Sequence, residues 1–338
     1  MRASEVATLT GGTLVGPDRD FEGVAPLESA GAGDLAFAGS IPARAPGAGV
    51  LLASVPAAPT TVVVADPRLA FIRVLEHLFP EVHPPGVQTG AWVHPTARLG
   101  RNVSVYPGAY VGPDVEIGDD SVVFPNAVVL GGTRIGRACV VGPGAVVGHA
   151  GFGLHAGPEG PRPVPQVGHA VLEDGVRLGA NTCVDRAFLG QTRVGAGSQV
   201  DNLVQIGHNC HLGRNVVVAG QAGLAGSVAI GDGAVLGGQA GVADHVSVGP
   251  GARVGSQAGV HRDLEGGQAW LGTPALPATL AGRIFSAWKE LPDLIRRVRR
   301  LERLWDVRTD RGDTAADDRP PAGIPDRGRP QGSRRKPD

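Results

Sequence analysis

Beginning at Val93, every sixth residue of the chain is aliphatic: Leu99, Val105, Val111, Ile117, Val123, Val129, Ile135, Val141 and Val147. After an interruption the phase returns at Val194 and runs through Val200, Ile206, Leu212, Val218, Leu224, Ile230, Leu236, Val242, Val248 and Val254 to Val260. Four places after these positions the residue is small or β-branched in nearly every case, as at Ala97, Val103, Ala109, Ser121, Ala127, Thr133, Cys139 and Ala145. One large and one small inward residue per hexad tile the narrow core of a parallel β-helix, and the glycines that often follow the aliphatic position suit its corners. Three hexads close a triangular coil of 18 residues, and stacked coils sit at the interstrand spacing of roughly 4.8 Å.

The composition agrees. With 53 glycines, 28 prolines and only 4% aromatic residues the chain looks low in complexity, yet 42% hydrophobic residues is too many for disorder. Small residues in a folded chain point to repetitive backbone packing. A net charge of −1 over 338 residues gives no general pull toward nucleic acid. Three widely spaced cysteines without a CxxC pair, Cys139, Cys183 and Cys210, fit a reducing compartment. The N-terminus MRASEVATLTGG lacks a basic start followed by an apolar run, so no signal peptide is expected. The longest uncharged stretch, residues 45–65, is broken by Pro46, Pro56 and Pro59, so no spanning helix is expected either. Cys139 and Cys210 fall at small inward positions and read as core fillers.

Two interruptions and two flanks depart from the repeat. Residues 148–171 are rich in Gly and Pro and read as a loop leaving the solenoid, and the step from Val184 to Val194 is longer than one hexad. Residues 1–88 predict a small α/β domain, with a short helix near Ser4 to Leu9, a strand at Thr61 to Val64 and a helix from Pro67 to Phe79 capped by Asp66. Residues 89–265 form the solenoid. Residues 266–308 predict a linker and helices interrupted at Pro292, with a basic run at Arg296, Arg297, Arg299, Arg300 and Arg303 that reads either as a solvated face or as a docking site for an acidic partner. Residues 309–338, without apolar period, predict disorder.

Polar side chains concentrate in VDNLVQIGHN, Val200 to Asn209. Residues 18 apart lie in register on neighbouring coils, so Gly226 stands beside His208 and offers a backbone N–H with no side chain in the way. His245, two coils and one residue further, belongs to the same side. An imidazole can take a proton from an attacking amine or hydroxyl while a fixed N–H stabilises a tetrahedral oxyanion, which is what acyl transfer needs. An exposed corner also tolerates any polar residue, so both readings stand at this point. A zinc site from His208, Cys210 and His211 loses Cys210 to the core, and no metal is expected. No Walker loop, HExxH or serine elbow is present.

In the order of its N-terminal segment VVVADPRLAF, the GFG of Gly151 to Gly153, VPQVG at Val164 to Gly168, the DR of Asp185 and Arg186, VDNLVQIGHN and the terminal helix, the chain resembles the UDP-3-O-(3-hydroxyacyl)glucosamine N-acyltransferases of lipid A biosynthesis. The resemblance covers roughly residues 1–305. It implies a left-handed β-helix, a homotrimer with sites in the clefts between neighbouring solenoids, and a cytoplasmic enzyme with peripheral contact at the inner membrane. It implies transfer of a 3-hydroxyacyl chain from the phosphopantetheine of acyl carrier protein to the 2-amino group of UDP-3-O-(3-hydroxyacyl)glucosamine, without a resident cofactor. His208 would be the general base, Asp201 its orienting carboxylate and Gly226 the oxyanion donor. Asn202, Gln205 and His245 would contact substrate, as would Phe37 and Ser40 in the nucleotide-holding N-terminal domain, and the five arginines would dock the acidic carrier protein.

The chain departs from that family's pattern in three places. Gly39, Ser40, Ile41, Pro42 and Ala43 stand where the family reads like Asn-Pro-Lys-Tyr, Leu130 and Gly131 replace an aromatic-His pair, and Ala187 replaces the glycine after the DR. Two alternatives remain beside this reading: a sugar-nucleotide N-acyltransferase using a short acyl group from coenzyme A, and a non-catalytic sugar-nucleotide-binding solenoid. A metal-dependent hydratase of the same fold would need histidines meeting across a subunit boundary.

Overall fold

A computed structural model of the chain describes residues 1–40, 47–272 and 278–309. Ile41, Pro42, Ala43 and the tail after Thr309 lie outside them. The chain divides into two units, Met1–Thr273 and the part that follows.

The N-terminal region folds as a five-stranded sheet of β1 (Thr13–Val15), β2 (Gly23–Val24), β3 (Asp34–Phe37), β4 (Val50–Ala53) and β5 (Thr61–Val63), in the order β1-β5-β4-β3-β2. Only β1 runs antiparallel to its neighbour. Helices α1 (Ala3–Thr10) and α2 (Pro67–Leu78) cover it, with Val6, Leu35, Val50, Leu52, Val62 and Val74 fully buried beneath them. Proline at the first turn and Asp66 before it start α2, and the Asp66 carboxylate accepts the Leu69 N–H at 3.0 Å.

From Gly86 the chain coils. Two-residue strands alternate with four-residue turns and fall into three parallel sheets, of which the first begins at Gly86–Val87, the second at Trp92–Val93 and the third at Arg98–Leu99. We refer to them as faces 1, 2 and 3. Each strand pairs with the one a coil later, so Tyr110 lies beside Val128 and Glu116 beside Arg134. The rungs begin at Gly86, slightly before the boundary drawn from sequence. The large hexad residues point inward, and Val105, Val111, Val123, Val129, Val147 and Ile206 are fully buried. Burying such a side chain contributes about 1.5–3 kcal/mol, repeated on every side of every coil. Two inward hydroxyls are satisfied by turn carbonyls, Ser121 donating to Gly136 at 2.8 Å and Ser198 to Gly213 at 3.0 Å, while the buried Thr133 hydroxyl makes no hydrogen bond among the described residues.

Both interruptions fall at one edge, the corner between faces 2 and 3. The first leaves after the face-2 strand Val146–Ala150, forms the hairpin Leu154–Gly157 with Gly160–Pro163, and returns at His169–Leu172 on face 3. The second is a widened turn, residues 187–190, between Cys183–Arg186 and Gln191–Val194 on the next coil.

The last helix, α3 (Ala278–Thr309), corrects the sequence expectation, since it continues through Pro292 instead of breaking there. Proline removes one N–H and crowds the carbonyl four residues earlier, which a long helix absorbs locally. Described by itself, α3 exposes Trp288, Leu291, Ile295 and Val298 at alternating three- and four-residue spacing. No described helix is long and apolar enough to cross a membrane.

Candidate active site

The third coil side to pass the widened corner carries His208, two residues beyond the face-2 strand Gln205–Ile206. The next rung pairs Ile206 with Leu224 and so sets Gly226 alongside His208. A β-carbon built on Gly226 would stand 2.7 Å from both Cε1 and Nε2 of the ring. Only a glycine leaves room for that edge of the imidazole. The same turn position holds Pro95 and Pro113 on earlier coils, so the ladder needs no N–H there. The Gly226 N–H accordingly makes no hydrogen bond among the described residues.

The opposite side of the ring is closed by chain from the two interruptions. Gly151, at the start of the excursion, packs so tightly that a β-carbon there would meet His208 Cβ at 2.7 Å. Asn209 joins the corner to the widened turn: its Oδ1 accepts the Phe188 N–H at 2.9 Å, its Nδ2 donates to the Leu189 carbonyl at 3.0 Å, and Oδ1 lies 3.1 Å from His208 Nδ1.

On the rung before His208 lies Asp185, 8% exposed, whose Oδ2 accepts the Gln205 Nε2–H at 2.9 Å. Burial pushes its carboxyl above the ordinary value, against the opposing pull of that hydrogen bond and of nearby His149 and His208. His149 faces Asp185 across the rung, at the register shift where Gly148 takes a φ of 89°. Arg186 fastens this irregular stretch, donating from Nε to the Gly148 carbonyl and from a terminal nitrogen to that of Gly131, both at 2.7 Å.

The structure therefore brings His208, Gly226 and Gln205 together and separates them from Asp201. The expectation that Asp201 orients His208 is corrected: its Oδ2 accepts the Gly220 N–H at 3.0 Å and its Oδ1 the Asn202 N–H at 2.7 Å. Seven residues amount to one face plus one, which places Asp201 at the preceding corner. Asn202 is there too, its Oδ1 accepting the Ala180 N–H at 2.6 Å, and both line a groove of about 550 Å³ with Phe124, Arg177 and Val217. His245 shares the His208 corner; it is exposed, has a left-handed φ of 58°, and its N–H donates to the Gly226 carbonyl at 3.1 Å.

Phe37 and Ser40 belong to the N-terminal sheet region, where the Phe37 ring packs on Phe71 at 5.0 Å between centroids and Ser40 is exposed. Arg296, Arg297, Arg299, Arg300 and Arg303 are exposed on α3, with Arg296 paired to Asp293. No group of three potential metal ligands occurs among the described residues. Cys210 is buried and its thiol donates to the Ala225 carbonyl at 3.0 Å.

Sequence reasoning missed Asn209, Asp185 and Gly151 as neighbours of His208. Gly151 lies in the first interruption, Asp185 just before the second, and the partners of Asn209 within it, all beyond what 18-residue arithmetic can reach. Beside the corner, the outward positions of face 2 on consecutive coils are Gly223, Gly241 and Gly259. β-carbons at Gly223 and Gly241 would touch nothing within 4 Å. A bare strip thus runs from Gln205 along the Gly223 and Gly241 rungs and ends at Gly259, where a β-carbon would stand 3.0 Å from His261 Nε2.

Residues 117–149 match the family model described as bacterial transferase hexapeptide (six repeats). The fold is similar to that of LpxA from Acinetobacter baumannii, with TM-score 0.51 at 22% identity over 60% of this chain and 78% of that one. It is also similar to the UDP-N-acetylglucosamine O-acyltransferase of Moraxella catarrhalis, with TM-score 0.50 at 18% identity over 64% and 93%. Sequence relatives match further: the UDP-3-O-acylglucosamine N-acyltransferase of Oleidesulfovibrio alaskensis is 46% identical over 90% of this chain and 96% of its own length. The enzyme of that name from Nitratidesulfovibrio vulgaris is 46% identical over 89% and 95%. Identity of this order, sustained from the N-terminal sheet through the His208 corner and beyond, shows that the chain belongs to the UDP-3-O-acylglucosamine N-acyltransferase family.

Proposed function

We propose that the protein transfers a 3-hydroxyacyl group from acyl carrier protein to the 2-amino group of UDP-3-O-(3-hydroxyacyl)glucosamine, a step of lipid A biosynthesis. The observation that carries this reading is the imidazole edge of His208 set against the unencumbered backbone of Gly226. His208 Nε2 removes a proton from the amine as its nitrogen attacks the thioester carbonyl. The Gly226 N–H receives the resulting oxyanion. Collapse re-forms the carbonyl, expels the phosphopantetheine thiolate and leaves an amide; the thiolate takes the proton back from the imidazolium.

Other features fit. The glycine strip on face 2 accommodates an acyl chain where any larger side chain would stand in its path. His245 stands exposed at the His208 corner, where its side chain is free to contact substrate. Gln205, Asn202, Phe37 and Ser40 are the further substrate contacts of this reading. The exposed arginines of α3 suit an acidic carrier protein, and its apolar stripe suits packing against other copies in a trimer of left-handed solenoids. The setting is the cytoplasm, in peripheral contact with the inner membrane.

The test is a mass-spectrometric assay of wild type and His208→Ala with the UDP-acylglucosamine acceptor and 3-hydroxyacyl carrier protein. The expected result is a mass gain of one hydroxyacyl group on the amine in wild type only. Product with short acyl-coenzyme A and none with the carrier protein would replace the donor, and full activity of His208→Ala would remove His208 as base.

A further inference from the structure

Asn209 makes three hydrogen-bonding contacts through one amide, and together they leave no freedom in which way it points. Its Oδ1 accepts from the Phe188 N–H and its Nδ2 donates to the Leu189 carbonyl. Turning the amide over would set NH₂ against N–H and carbonyl against carbonyl, two repulsive contacts for two good ones. The backbone of residue 209 is fixed as well, by its N–H donating to Thr192 Oγ1 at 2.8 Å and by a left-handed φ of 60° that asparagine tolerates better than most residues.

An oxygen that only accepts therefore faces His208 Nδ1 at 3.1 Å. We propose that Asn209 is the positioning residue of the His208 corner: its amide holds the neutral imidazole with the proton on Nδ1, so that Nε2 presents its lone pair toward Gly226. A neutral imidazole carries one N–H, so fixing it on one nitrogen bares the other. The proposal rests on the reading of His208 as general base. It assigns the orienting role to a neutral amide, anchored by the widened turn, where a carboxylate at Asp201 was expected from sequence.

The ionisable groups around the ring are Asp185 one rung before it, His149 beyond Asp185, and Asp244 and His245 along the same corner. Asp185 lies close enough to His208 for their charges to interact, and an amide orients the ring without adding a second carboxylate.

The experiment is ¹⁵N NMR of the imidazole nitrogens in the full-length protein, with the His208 signals identified by their loss in His208→Ala, alongside kinetics. Wild type should show Nδ1–H and an unprotonated Nε2. Asn209→Ala should shift His208 toward the Nε2–H tautomer and lower kcat roughly 100-fold or more, the scale of general-base catalysis, with KM within about twofold. Asn209→Asp keeps acceptors for both Phe188 and His208 but adds charge, and should move the acidic limb of the kcat/KM profile up by about one pH unit. An Nε2–H signal in wild type, or Asn209→Ala with unchanged kcat, overturns the proposal. Full activity of His208→Ala instead overturns the base reading beneath it, whatever tautomer the NMR reports.

Discussion

His208 and Gly226 are neighbours on adjacent rungs, and the imidazole occupies the volume that a β-carbon on Gly226 would need. One methyl group at 226 would displace the ring edge that carries Nε2. Gly226→Ala keeps the N–H but moves the base, and should therefore reduce kcat on the order of 100-fold, the scale of general-base catalysis. The φ of Gly226 is not in the left-handed region, so alanine is conformationally allowed and the melting temperature should stay within a few degrees of wild type. Steady-state kinetics with differential scanning calorimetry would decide, and a variant of wild-type rate would mean that the ring works from another position.

The bare strip on face 2 predicts a change of specificity. Gly241→Leu places a branched side chain in open space one rung beyond Gly223 without disturbing the ladder. Longer acyl donors should lose kcat/KM by roughly tenfold or more relative to donors shorter by several methylenes. Competition between donors of different length, read by product mass, measures the ratio. An unchanged ratio would place the chain elsewhere.

Asp185 makes folding pH-dependent. Its carboxyl is raised in the folded state by burial, so the folded protein holds a proton that the unfolded chain releases near the ordinary Asp value of about 3.9. Between the unfolded and folded pKa values the folded state binds more protons, and this group's contribution to stability falls as pH rises through that window. Asp185→Asn keeps an oxygen for the Gln205 N–H and removes the buried charge. Its melting temperature should exceed wild type by more at about pH 7 than at about pH 3.5, and a difference constant with pH would contradict the assignment.

Cys210 should be chemically silent in the native protein. Burial pushes its thiol up to about 12, so near pH 8 its thiolate fraction lies roughly a thousandfold below that of a free cysteine. Iodoacetamide labelling followed by peptide mass spectrometry should modify Cys210 only after denaturation, with half-buried Cys183 the first to react in the native state. Rapid native labelling of Cys210 would show that the coil around it opens.

What could be read from sequence divides along the same line as the structure. The rungs were legible because each hexad meets only the next coil, so distance along the chain converts to distance in space; Ile206 beside Leu224, and hence His208 beside Gly226, follows from counting. Counting fails where chain is inserted. Asn209 is one residue from His208, yet its partners Phe188 and Leu189 lie in a turn whose length breaks the phase. Asp201 misled for the converse reason, since closeness in sequence crosses a corner of the prism. Pro292 is legible only as a lost hydrogen bond, and the remaining turns of α3 outweigh it.

Arg186 gives the irregular stretch a mechanical meaning. A solenoid is a one-dimensional stack whose cooperativity passes from rung to rung, and it divides where that coupling is thinnest. At the register shift the ladder slips past Gly148, and a single guanidinium spans the gap to Gly148 and Gly131. Arg186 therefore ties the slipped rung back onto the coil before it, so that the stack on either side of the shift stays mechanically continuous within one unit.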